Sequence, residues 1–291
     1  MATVADWVEG ARIRTLPTAV APVLAGSAVA WHAGSFAPGR AALALLVALA
    51  LQVGVNYAND YSDGIRGTDA DRVGPQRLVG SGAASPRSVK AAAFTGFGVA
   101  AVAGLILVVL TAQWWLLVVG VACILAAWYY TGGRRPYGYA GLGEVFVFVF
   151  FGLIATIGTT YVQMLSAPPA ALAAGVFAGA LASAVLVANN LRDRAGDALA
   201  GKRTLAVRLG DRHTRLFYAG LIALGAAGIV AAAALTSWWL LLGLAGLAAA
   251  VVPVRAVLGG AQGRELIVAL KGTGVAELAA SLGMCAGAVI S

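Results

Sequence analysis

The amino-acid sequence predicts an all-α, polytopic membrane protein with nine transmembrane helices, arranged as two four-helix units plus one in a single domain over residues 1–291. Three observations carry that expectation. The chain is 60% hydrophobic and only 11% charged, with a mean hydropathy of +0.87, well outside the composition of a soluble domain. Nine apolar stretches are each long enough, at about 20 residues, to cross a bilayer core as a helix. With the N-terminus inside, Arg40 alone of the 20 Lys and Arg residues falls in an outer segment, which is the charge asymmetry of an oriented membrane protein.

The expected spans cover 15–33, 39–59, 88–110, 113–131, 140–162, 169–191, 214–235, 237–255 and 272–290. They are rich in Ala, Gly, Leu and Val, and small residues let helix backbones approach closely in lipid. No long strand-like alternation of the kind a membrane barrel needs is visible. Asp6, Glu9, Arg12 and Arg14 near the N-terminus, with no small-residue processing site after them, argue against a cleavable signal. Trp114, Trp115, Trp238 and Trp239 sit at outer helix ends and read as an aromatic belt. Cys123 and Cys285 fall inside apolar spans and read as small core residues. His32 reads as a surface residue at the outer end of the first span. The net charge of +8 resides in the inner loops, where Arg87, Lys90, Arg212 and Arg215 read as topology signals. The expected partner is therefore the lipid bilayer, and no nucleic acid is needed to account for the charge.

Two long inner segments hold most of the remaining polar chemistry. The first lies within NYANDYSDGIRGTDADRVGPQRLVGSG, from Asn56 to Gly82, and contains Asp60, Asp63, Asp69 and Asp71, four of the chain's 12 acidic residues. The second follows the sixth span, NNLRDRAGD and then GKRTLAVRLG, with Asn189, Asn190, Asp193, Asp197, Lys202 and Arg203. Each places carboxamide and carboxylate first and basic residues after, a weak internal repeat of features and not of letters. Continued as helices, the segments put Asn56, Asp60 and Asp63, with Gln52, on one face and Asn189, Asp193 and Asp197 on another, with Asn190 beside them.

Carboxylates at the edge of a hydrocarbon layer are costly unless paired, hydrated or bound to a cation. Hard oxygen donors from two helices suit Mg²⁺, which keeps waters and shares itself between one or two carboxylates and substrate phosphates. Helix-end carboxylates paired with neighbouring Arg are the bland alternative. Neither cluster contains His or Cys, so zinc and copper are disfavoured. Arg66, Arg77, Lys202 and Arg203 follow the acidic faces and can bind phosphoryl oxygens. A diphosphate with a long hydrocarbon tail fits this lining.

NDYSD, GIRGTD and QRLVGSG, paired with NNLRDRAGD and GKRTLAVRLG, resemble the UbiA superfamily of intramembrane prenyltransferases over the whole chain. Asn59, Asp60 and Asp63 match the first motif of that family, N-D-x-x-D-x-x-x-D. Its last position is Gly67 here, with Asp69 two residues on. Asp193 and Asp197 match the second, D-x-x-x-D. DYSDGIRGTD, YTGGRRPYGYAGLGE and ARIRTLP are similar to the members that prenylate 1,4-dihydroxy-2-naphthoate in menaquinone synthesis.

The resemblance implies transfer of a polyprenyl chain from its diphosphate to 1,4-dihydroxy-2-naphthoate in the cell membrane, with loss of diphosphate and CO₂, at cytoplasmic loops. Asn59, Asp60, Asp63, Asp193 and Asp197 are then expected to hold Mg²⁺, helped by Asn56, Asn189 and Asn190. Arg66, Arg77, Lys202 and Arg203 are expected on the diphosphate. Arg14 is a candidate for the acceptor's carboxylate or a topology anchor, and Tyr137 a candidate to face a cationic carbon or an interfacial residue. Glu144 can orient the acceptor, accept a proton or serve the helix dipole. Glu277, deep in the last span, is a functional candidate by position alone. Another acceptor such as 4-hydroxybenzoate is the alternative within the family. A CDP-alcohol phosphotransferase lacks the spacing seen here, and a cation transporter would not line its pathway with Arg and Lys.

Overall fold

The computed structural model describes residues 2–67 and 77–291; Asp69 and Asp71 lie outside the described residues. Ten helical elements follow in order: α1 Val4–Gly10, α2 Pro17–His32, α3 Pro38–Arg66, α4 Pro86–Thr111, α5 Leu116–Tyr129, α6 Gly143–Met164, α7 Pro169–Leu199, α8 Leu205–Ala234, α9 Trp238–Leu258 and α10 Gly263–Ile290. No strand occurs among the described residues.

Seven of these helices are long and apolar enough to cross a membrane, and an eighth results if the N-terminal segment Val4–Thr15 and α2, bent by 45°, form one span. Among the described residues the expected count of nine is not confirmed, because α5, over the expected span 113–131, has only 14 residues. At 1.5 Å per residue it is about 21 Å long, short of a hydrocarbon core of about 30 Å.

α7 is the central element, with 83% of its apolar window buried. Its sequence explains why: Ala and Gly occupy every side, so α2, α6, α8 and α10 can all close on it. Phe177, Leu181, Ile229, Leu240 and Met284 fill the spaces that remain. Where α6 crosses α7, a Cβ on Gly152 would lie 2.2 Å from the Cα of Gly179, a contact that only glycine allows. Around that glycine α6 departs from α-helical bonding, and Phe148–Ile154 form a π-helical segment. Such segments are rare and mark functional sites; here Phe150, Phe151 and Ile154 from it line the main cavity.

Arg215, read from sequence as a topology signal, is a buried clamp. Its guanidinium binds Asp211 one turn earlier at 2.6 and 3.0 Å and donates to the carbonyl of Val257 at 2.6 Å and of Ala261 at 3.1 Å. It thereby adds a charged donor to backbone oxygens at the end of α9 and just beyond it. Arg215→Met should destabilise the protein by about 2–3 kcal/mol, because buried carbonyls lose a charged donor. Thermal unfolding in detergent would register that loss, and an unchanged midpoint would show the clamp to be dispensable.

Candidate active site

The C-terminal ends of α3 and α7 meet at one mouth. Lys202, three residues beyond α7, places its Nζ 3.2 Å from Asp63 Oδ2 on α3. The Tyr139 hydroxyl donates to Asp63 Oδ1 at 2.6 Å, and the Lys202 ammonium lies 4.6 Å from the centre of the same tyrosine ring. The turn Tyr137–Ala140, between α5 and α6, is thus the keystone between the two polar segments, and the Arg203 N–H donates to the Tyr139 carbonyl at 2.9 Å to hold it.

Below the mouth runs a cavity of about 920 Å³. Its walls descend from Asp63, Asp193 and Lys202, past Gln52, Val55, Phe150 and Leu186, to Ala44, Val108 and Val162 at the far end. From Ala44 to Asp63 along α3 is about 28 Å of helix, so the cavity is long, polar at one end and apolar for the rest. Arg40 lies at that far end, donating to the carbonyls of Val162 and Leu110 at 3.1 and 3.2 Å.

The polar stripe of α3 is turned by one residue from the expected one. Gln52, Asn56, Asn59 and Asp63 line the cavity, spaced by four, three and four residues as one helical face requires. Asp60, expected beside them, falls on the neighbouring face and is not brought to the cavity. It is 1% exposed and outside the cavity lining, and its two carboxylate oxygens accept the N–H groups of Leu78 and Val79, both at 2.9 Å. One turn later on that face Gly64 leaves room for Val79, which would stand 2.5 Å from a Cβ. Asp60 is therefore the anchor that returns the chain to α3 and sets Arg77 into the cavity wall. Gly67, at the last motif position, has φ of 70° and caps α3, a backbone state that favours glycine over aspartate.

On α7 the expected set is brought together: Asn189, Asn190, Asp193 and Asp197 all line the cavity. Arg192 grips the Asp193 carboxylate with Nε at 2.6 Å and Nη2 at 2.7 Å, and Nη2 donates to Asn189 Oδ1 at 2.8 Å. Asn190 is oriented from behind by Glu144, whose Oε1 accepts from Nδ2 at 2.9 Å. Glu144 is buried and outside the cavity lining. Asn59 is held in turn by the Thr131 hydroxyl at 2.8 Å, and Asn56 donates to the Ala11 carbonyl at 2.9 Å.

Of the expected diphosphate-binding cations, Arg77 and Lys202 line the cavity, whereas Arg66 and Arg203 do not. Arg66 ends α3 and donates to the carbonyls of Thr131 and Gly133, bracing the loop before Tyr139. Arg203 is exposed. Arg14 also turns outward, 3.9 Å from Glu9. Its place is taken by Arg12, which lines the cavity because its left-handed φ of 55° reverses the direction of the short segment before α2. Tyr137 does face the cavity. Its ring stacks on Phe146 at 3.8 Å and its hydroxyl donates to the Ala126 carbonyl at 2.8 Å, while burial pushes the phenol pKa up and keeps the ring neutral. Glu277 lies outside the cavity lining, wholly buried and without a hydrogen-bond partner among the described residues.

Arg12, Tyr139 and Arg192 escaped the sequence reading. Tyr139 stands two residues from Tyr137 in the same segment, and a second tyrosine between Gly138 and Ala140, close to Gly141, is the local signal. Nothing local distinguished Arg12 from Arg14.

Among the described residues, no three His, Cys, Asp or Glu side chains converge into a preformed metal cage. The donors at the mouth are nonetheless hard oxygens, from Asn59, Asp63, Asn189, Asn190, Asp193 and Asp197, around one opening. That set fits a divalent cation such as Mg²⁺, which completes its shell with water or phosphate oxygens.

Comparison with known proteins bears on this geometry. Residues 19–265 match the UbiA prenyltransferase family. The chain is 56% identical over 281 residues to a 1,4-dihydroxy-2-naphthoate octaprenyltransferase of Mycobacterium tuberculosis (strain ATCC 25618 / H37Rv), covering 96% of this chain and 94% of that protein. It is 41% identical to the protein of the same description in Escherichia coli (strain K12), over 74% of this chain and 72% of the other. In fold it is similar to the apo structure of a UbiA homolog from Aeropyrum pernix K1, with TM-score 0.68 and 15% identity over 94% of this chain and 97% of that one. A UbiA homolog from Archaeoglobus fulgidus bound to DMAPP and Mg²⁺ superposes with TM-score 0.61 and 13% identity, over 94% and 98% of the two chains. With the paired acidic helix ends at one mouth and the family match extending over most of its length, the chain belongs to the UbiA prenyltransferase family, and it is a multi-pass membrane enzyme.

Proposed function

We propose that the protein transfers a polyprenyl chain from its diphosphate to 1,4-dihydroxy-2-naphthoate in the cell membrane, releasing diphosphate and CO₂ and forming demethylmenaquinol. The observation that carries the proposal is a cavity of about 920 Å³ with carboxylates, amides and cations at one end and hydrocarbon walls along the rest. The acceptor is supported by the description of the 56% identical relative. The basic residues around the mouth, against Arg40 at the far end, support a cytoplasmic opening.

Asn59, Asp63, Asn189, Asn190, Asp193 and Asp197 would hold Mg²⁺. When bound, the ion supplies positive charge to the diphosphate as the carbon–oxygen bond breaks. Arg77 and Lys202, on the cavity wall, share that task, since fixed cations act where negative charge grows. The faces of Tyr137 and Phe146 border the path of the allylic carbon and favour its positive charge. Arg12 faces the same space and is assigned to the acceptor's carboxylate. The ring attacks the allylic carbon, and the electron pair of its bond to the departing carboxylate returns to the ring. The overall exchange therefore consumes no proton, which accords with Glu144 standing behind Asn190 instead of in the cavity.

Offered dihydroxynaphthoate and 4-hydroxybenzoate together with a polyprenyl diphosphate and Mg²⁺, the enzyme should yield demethylmenaquinol and diphosphate; prenylated 4-hydroxybenzoate as the main product would refute the acceptor. Asp63→Asn should remove turnover in a protein that still folds, while Asp60→Asn should retain turnover and lower stability by about 1–3 kcal/mol, because an N–H replaces an acceptor opposite a buried backbone donor. Loss of turnover in folded Asp60→Asn would contradict the division of roles. Arg12→Gln should raise KM for dihydroxynaphthoate at least about tenfold, as loss of a charged hydrogen bond of about 1.5–3 kcal/mol requires, and leave KM for the donor unchanged. An effect on the donor alone would reassign Arg12.

A further inference from the structure

The Arg192 side chain is deeply covered at the mouth, 3% exposed against 11% for Lys202. Adjacent residues on a helix point in different directions, so its fork reaches Asp193 only by folding back along α7. The bond to Asn189 one turn earlier fixes it there. One guanidinium thus occupies both Asp193 oxygens and Asn189 Oδ1, three of the oxygens that a divalent ion at this mouth would share. A buried charge stripped of its partner costs several kcal/mol. A metal ion arriving alone would impose that cost on Arg192. A diphosphate arriving with it would remove the cost, because guanidinium binds phosphoryl oxygens as well as it binds carboxylate.

We propose that Arg192 is a resident counter-ion that couples metal uptake to diphosphate binding, an inference that rests on the metal-bridged diphosphate proposed above. In the empty site it holds Asp193 and Asn189. When diphosphate enters, its fork moves to the phosphoryl oxygens and leaves the carboxylate and amide to Mg²⁺. Lys202 against Asp63, 3.2 Å away, is the matching pair on the opposite side of the mouth. The exchange keeps divalent ions out of a site that has no substrate, and each ligand strengthens the other by the same factor, as linkage demands.

The test uses the full-length protein in detergent, Mn²⁺ as a paramagnetic substitute for Mg²⁺, and inorganic pyrophosphate. Free Mn²⁺ is read by electron paramagnetic resonance, with and without pyrophosphate, each against a protein-free solution of the same composition that accounts for Mn²⁺ held by pyrophosphate alone. In the wild type, pyrophosphate should tighten Mn²⁺ binding by at least about tenfold, within the usual range of coupling between sites. Arg192→Gln should bind Mn²⁺ alone about tenfold more tightly than the wild type and lose most of the coupling. Arg192→Lys, which keeps the charge without the fork, should fall between the two. Should Arg192→Gln not survive purification, Arg192→Lys decides the matter, since Mn²⁺ affinity equal to that of the wild type overturns the proposal. Wild-type coupling with unshifted variants removes the role of Arg192 alone, whereas a wild type that binds no Mn²⁺ even with pyrophosphate removes the metal-bridged diphosphate itself.

Discussion

Charge neutralisation at the edge of a hydrocarbon layer is the constraint on which this structure turns. Two like charges 4 Å apart repel by about 4 kcal/mol at an effective dielectric of about 20, and a carboxylate withdrawn from water costs more again. The acidic ends of α3 and α7 therefore meet only because each carboxylate is answered. Asp63 takes Lys202 and the Tyr139 hydroxyl, Asp193 takes Arg192, and Asp60 takes two backbone N–H groups. These contacts draw three distant stretches of chain to one mouth. The same cations suit a phosphorylated ligand, so the arrangement that stabilises the empty protein also prepares it for an anionic substrate.

Packing supplies the other half of the site. Lipid gives helices no hydrophobic reason to associate, and the bundle is held instead by close backbone contacts of small residues along α7. Because α7 is so slender, the walls around it can be tight on one side and leave room on the other. The π-helical segment of α6 is where these demands meet: Gly152 presses against Gly179 while Phe150, Phe151 and Ile154 turn to the cavity. One helix thus serves as a packing surface and as a wall for a long hydrocarbon chain.

The polar stripe of α3 shows how sequence patterns mislead by small angles. Asn59 and Asp60 are adjacent, and each lies in a four-residue series with other polar groups, Asn59 with Asp63 and Asn56 with Asp60. Spacing alone cannot choose between the two series, because both are helical faces. The choice is made by the returning segment, whose N–H groups at Leu78 and Val79 claim Asp60. Arg12 and Arg14 pose the same problem at closer range. Both flank one isoleucine, and only the left-handed backbone at Arg12 decides which guanidinium enters the cavity.

Composition and order of residues settled the medium, the helical class and the pairing of two acid-then-base segments, because hydropathy and charge asymmetry are summed over many positions and survive local error. The number of crossing helices depends on regularity as well as hydropathy: the stretch 113–131 has the length of a span, and its α-helical part has 14 residues. Which polar side chains face the cavity was a matter for tertiary structure alone. A rotation of 100° per residue separates a ligand from an anchor, and that angle is set by what packs behind the helix: Val79 behind Gly64 on α3, Glu144 behind Asn190 on α7.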